Sequence, residues 1–111
     1  MEFFVEQREQ TAVVSVVGSV DALTAGEVTN FLSSQLQAGS NRLVLDLSKV
    51  DYVSSAGLRT ILATLKEART KGGDLRLAAI QPNVQKVLQM SGFTSILKTY
   101  GDVETAVASF G

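Results

Sequence analysis

The chain has 111 residues, 45% of them apolar and only one of them proline, the size and composition of one compact domain spanning residues 1–111. Ten basic and 11 acidic residues leave a net charge of −1 and no basic stripe, so nucleic acid is not expected as a direct partner. Cysteine and histidine are both missing, which removes disulfides, thiolate chemistry, the usual metal-ligand sets and every Ser-His-Asp or Cys-His arrangement; neither an enzyme nor a bound cofactor or metal is expected.

Met1-Glu2-Phe3-Phe4-Val5-Glu6 carries acids where a signal peptide would carry Lys or Arg, and no apolar run reaches the length of a bilayer span. The expectation is a cytoplasmic protein without a membrane partner. Phe3-Phe4-Val5 and Ala12-Val13-Val14-Ser15-Val16-Val17 read as two antiparallel strands, with Glu6 to Gln10 as the hairpin connection. After Gly18, Thr24-Ala25-Gly26-Glu27 has the form of a capping box, and Leu23 and Val28 are spaced for a hydrophobic staple across it. A helix is therefore predicted from Thr24, with Val28, Phe31, Leu32 and Leu36 on one face and Gly39 beyond its end.

Arg42-Leu43-Val44-Leu45-Asp46-Leu47 reads as a central strand covered on both faces. A second helix begins at Ser54-Ser55-Ala56-Gly57, carries Leu58, Ile61, Leu62, Leu65 and Ala68 at helical spacing, and stops at Gly72-Gly73. Leu75 to Ile80 is a further strand, Pro82 opens a third helix with Val84, Val87 and Leu88, and Ser91-Gly92 closes it. Phe93, Ile96 and Leu97 follow, then a short last helix from Asp102 with Val103, Ala106, Val107 and Phe110 on its apolar face. Strands alternating with helices define an α/β fold: a mixed, mostly parallel sheet covered by about four helices.

The serine pair is the candidate site. Where a loop becomes a helix, a serine can serve simply as an N-cap, accepting a hydrogen bond from an orphan N–H. It can also display its hydroxyl at the positive end of the helix dipole, where a phosphate would be tolerated; one serine can do each. A phosphate adds roughly −1.5 to −2 charges at neutral pH. At an effective dielectric near 20, one unit charge about 5 Å from a like charge costs on the order of 3 kcal/mol, enough to expel an acidic partner surface. Arg59, Lys66 and Arg69 lie off the apolar stripe of the second helix and read as a solvated face. Gly72-Gly73 after Lys71 is not a P-loop, and Val53 stands where a nucleophile elbow needs glycine.

Across essentially its whole length the sequence resembles the STAS-domain anti-sigma-factor antagonists. The most specific segment is Asp51-Tyr52-Val53-Ser54-Ser55-Ala56-Gly57-Leu58, supported by Gly18-Ser19-Val20-Asp21, Leu43 to Leu47 and Met90-Ser91-Gly92-Phe93. The resemblance puts the family's phosphoacceptor on Ser55, with Ser54 as the fallback, and its small residue on Ala56, followed by Gly57 and Leu58. It puts the family's loop aspartate on Asp21, which alternatively is an ordinary turn or capping residue. Ser54 departs from the aspartate that many members carry before the acceptor.

The resemblance implies that the unphosphorylated form binds an anti-sigma-factor serine kinase and so frees a sigma factor. That kinase phosphorylates Ser55 with its ATP and ends the binding, and a phosphoserine phosphatase restores the active form. Partner contacts are expected from the residue 18–24 loop, the 52–57 turn and the exposed face of the second helix, with Asp21, Ser54, Ser55, Ala56 and Gly57 as the named residues. Nothing in the pattern demands a dimer, so a free monomer is expected. The alternative is a STAS accessory subunit of a lipid-transport complex, or a signalling scaffold.

Overall fold

In the computed structural model, which describes residues 1–110, the chain starts with β1 (Glu2–Arg8) and β2 (Thr11–Val17). There follow α1 (Ala25–Gln37), β3 (Arg42–Lys49), α2 (Ser55–Thr70), β4 (Asp74–Ala78) and α3 (Pro82–Met90). A 3-10 turn at Phe93–Ser95, β5 (Lys98–Tyr100) and α4 (Val103–Ala108) complete it. The five strands lie side by side in chain order; β1 pairs antiparallel with β2 and every later pair is parallel. A right-handed crossover that always steps to the next strand on the same side must put its helix on the same face each time. Accordingly α1, α2 and α3 share one face. α4 follows the last strand, makes no crossover, and lies against the opposite face.

Strand alternation divides the core accordingly. Ala12, Val14 and Val16 of β2, Leu43, Leu45 and Leu47 of β3, and Leu75 and Leu77 of β4 meet Val28, Leu32, Ile61, Leu65, Val84 and Leu88 of the three helices. Val13, Val44 and Ala78 turn the other way and pack under Ala106, with Tyr100, Val103, Val107 and Phe110 around them. β3 is buried on both faces because it is the middle strand and both layers cross it. The arginine of the next strand helps hold α4 down: Arg76 lies 4.0 Å from the centroid of the Phe110 ring, donates to Ser109 Oγ at 2.8 Å and pairs with the buried Asp74 at 3.0 Å. Arg8 of β1 grips Glu104 of α4 with both terminal nitrogens, at 2.7 and 2.8 Å.

The structure departs from the sequence-based expectations at β4, which ends at Ala78 rather than Ile80 because Ala79 turns to a φ of 56°, and in three further places. β1 runs on through Glu6, Gln7 and Arg8, leaving only Glu9 and Gln10 as the turn, because cross-strand pairing with β2 extends to Arg8 opposite Thr11. Lys98–Tyr100 forms a fifth strand that the pattern did not mark; a three-residue edge strand has too little alternation to stand out. The capping box and staple at α1 do not form: Thr24 makes no side-chain cap, and Leu23 is 92% exposed.

Candidate functional site

The site is built where the chain leaves β2 and β3, which are parallel neighbours. Beyond the sheet the two segments remain stitched together: Gly18 N–H donates to Lys49 O at 3.2 Å, Val20 N–H to Tyr52 O at 2.9 Å, and Ser54 N–H to Val20 O at 2.8 Å. Val20 and Val53 form an isolated parallel bridge, and both side chains are buried. This places the loop of Asp21 directly beside the start of α2.

Asp21 organises its own loop. Its carboxylate accepts from Leu23 N–H at 2.9 Å and Thr24 N–H at 3.1 Å, while its carbonyl accepts from Ala25 N–H at 2.8 Å. Thr24 Oγ1 accepts from Asp21 N–H at 3.0 Å and donates to Ser19 O at 2.8 Å, so the hydroxyl expected to cap α1 is already committed. Aspartate, whose side chain readily closes such a turn, therefore does the work assigned to the capping box. The consequence is a rigid loop that holds Leu23 in solvent instead of folding it back on Val28.

The two serines divide the tasks. Ser54 is the N-cap of α2, with extended backbone (φ −86°, ψ 176°) and its Oγ accepting from Gly57 N–H at 3.2 Å. Half-buried and held at three points, it is part of the frame. Ser55, the first residue of the helix, is exposed, and its hydroxyl makes no hydrogen bond among the described residues. Ala56 is half-buried and Gly57 buried. A Cβ at Gly57 would stand 2.7 Å from Val20 O, 2.8 Å from Val20 Cγ1 and 3.0 Å from Val53 Cγ1. Glycine is thus what lets the first turn of α2 lie against the Val20 backbone, and so what brings Ser55 near the Asp21 loop.

The loop below is tied to α3 as well, because Asp51 accepts from Ser19 Oγ at 3.0 Å through its carboxylate and from the Asn83 side-chain amide through its carbonyl. Leu23, 92% exposed, and Tyr52, 53% exposed, are large apolar side chains that this end presents to solvent. Both lie in the 18–24 loop and the 52–57 turn from which partner contacts are expected, although the sequence pattern had placed Leu23 in a staple against Val28 and did not single out the Tyr52 ring.

A family model for the STAS domain matches residues 3–106, and the chain belongs to that family. BtrV of Bordetella bronchiseptica, provisionally named an anti-sigma factor antagonist, is 34% identical over 110 residues, 99% of this chain and 95% of BtrV. The anti-sigma F factor antagonist of Paenibacillus polymyxa is 26% identical over 108 residues, 96% of this chain and 92% of that protein. The crystal structure of an anti-sigma factor antagonist from Mycobacterium paratuberculosis superposes with a TM-score of 0.88 at 25% identity, covering 97% of this chain and 92% of the other. The mixed sheet with its helices is thus the STAS arrangement.

Proposed function

We propose that the chain is an anti-sigma-factor antagonist whose binding to a kinase is switched off by phosphorylation of Ser55. The observation that carries this reading is the division of labour at α2: Ser54 is consumed as the cap, while Ser55 offers a free, exposed hydroxyl on a rigid helix start. Full-length similarity to relatives named as antagonists supports the same activity here. In the unphosphorylated state the Asp21 loop, Tyr52 and the first turn of α2 form the face that docks on the anti-sigma-factor kinase in the cytoplasm.

Transfer of the γ-phosphoryl group from ATP breaks its bond to the ADP oxygen and forms the Ser55 Oγ–P bond; the hydroxyl proton leaves to a base on the kinase. The chain contributes the accepting oxygen and no catalytic group. The phosphate brings roughly −1.5 to −2 charges to the centre of the docking face, and one unit charge about 5 Å from a partner carboxylate already costs on the order of 3 kcal/mol at an effective dielectric of 20. A phosphoserine phosphatase resets the switch.

The test is capture of an ATP-binding kinase from the native cells on immobilised protein. Parent and Ser55→Ala should both retain it without ATP, only Ser55→Ala should retain it with ATP, and Ser55→Asp should bind weakly throughout. Identical behaviour of all three would overturn the assignment of Ser55.

A further inference from the structure

α2 differs from two of its neighbours in the charge of its first turn. α1 begins with Glu27 and α4 with Glu104, acids that suit the positive end of a helix, whereas the first turn of α2 contains no acidic residue. The first charged residue along α2 is instead a cation, Arg59, set against the sense of the helix dipole. It is exposed, and among the described residues it forms no ion pair, unlike Arg8, Arg69 and Arg76.

Ser55 and Arg59 are four residues apart on a continuous helix, which makes them neighbours on one face with about 5–6 Å between their Cβ atoms. Helical side chains lean toward the N-terminus, so the arginine reaches back over the serine rather than away from it. The other residue one turn along, Leu58, is only 6% exposed and belongs to the core. Arg59 is consequently the one charged side chain of this helix placed to meet a group attached to Ser55.

We infer that Arg59 is a built-in counter-charge for a phosphate on Ser55, a positioning residue that pairs with the phosphate oxygens through its forked guanidinium. The inference rests on the reading that Ser55 is phosphorylated. A guanidinium suits this task because two of its N–H groups can meet two oxygens of one phosphate. Pairing turns the phosphate toward the helix surface, neutralises part of its charge and occupies Arg59. Phosphorylation then changes the docking face twice: a negative group appears and a free positive one is withdrawn.

The experiment uses the full chain with phosphoserine installed at position 55 by genetic encoding, so no kinase is required, and follows the phosphate by phosphorus NMR through its second ionisation. In the parent the ionisation should fall below that of the phosphorylated Arg59→Gln variant by about 0.2 to 0.7 units, roughly 1.6- to 5-fold in proton affinity, because a cation favours the dianion. Arg59→Lys should fall between them. Equal thermal midpoints of the unphosphorylated parent and Arg59→Gln establish that the variant folds. Coincident titration curves for phosphorylated parent and Arg59→Gln would overturn the inference and leave the functional proposal intact. Absence of phosphate on Ser55 in cells would overturn the functional proposal and the inference built on it, whatever the titration shows.

Discussion

Replacing Gly57 by alanine tests whether the close approach of α2 to the Val20 loop is what builds the site. Helix propensity alone favours the change by up to about 1 kcal/mol. Against this stands a Cβ placed 2.7 Å from a backbone oxygen and 2.8 and 3.0 Å from two buried valine methyls, the first two closer than real Cβ atoms come and the third a tight contact. The oxygen belongs to Val20, whose main chain is fixed by its bonds to Tyr52 and Ser54, so the strain cannot be relieved by turning a flexible side chain.

Overpacking of this kind costs about 1–3 kcal/mol, and separating the helix from the loop also stretches the Ser54 to Val20 hydrogen bond, worth about 1 kcal/mol. Net destabilisation of Gly57→Ala should be about 1–3 kcal/mol, read as a lower urea midpoint with an unchanged m-value. Amide shifts should move at Val20, Asp21 and Ser54 and stay put in α4. A variant as stable as the parent, with those shifts unmoved, would refute the account of why glycine stands there.

Ser54→Ala should lose about 0.5–2 kcal/mol as the cap of α2 is removed, whereas Ser55→Ala should change stability by less than about 0.5 kcal/mol; chemical denaturation of the pair distinguishes frame from acceptor, and equal losses would contradict that division. Leu23→Ser should leave the thermal midpoint unchanged and weaken kinase capture, since the side chain is in solvent in the free protein; unaltered binding would remove Leu23 from the docking face. The Thr105 N–H and hydroxyl hold Asp102 below its ordinary 3.8, and Arg8 holds Glu104 below its ordinary 4.5. Both groups are depressed in the folded chain, so the stability they contribute is present above those values and lost as pH falls through the lower, folded ones. On acidification α4 resonances in NMR spectra should therefore lose their native shifts before those of α2, and Asp102→Ala should reduce that acid sensitivity; simultaneous loss of both helices would argue against it.

Much of the fold was legible because its periodicities are long. α2 could be placed within a residue from the serine pair and the apolar recurrence Leu58, Ile61, Leu65, Ala68, and β3 from the leucine and valine residues spread over the length of a covered strand. The start of α1 was placed correctly at Thr24, but its capping was misread because Thr24 and Glu27 satisfy a local rule that a neighbour overrides: Asp21 supplies the turn and Ser19 takes the Thr24 hydroxyl. The candidate serines were legible as a pair, yet their division of tasks was not, since adjacent hydroxyls look alike until one is seen bonded to Gly57 N–H.

The sequence by itself determined the class of fold, the serine pair at the start of α2, and the absence of histidine and cysteine. Those properties reside in composition and local spacing, which need no long-range contact to be read. Only the tertiary structure decided that Val20 lies against Gly57, that Asp21 braces its own loop through Leu23 and Thr24, that Leu23 points outward and that α4 takes the opposite face of the sheet. These depend on pairing between β2 and β3, whose residues lie some 30 positions apart in the chain. No local pattern encodes which backbone atoms such pairing brings within reach.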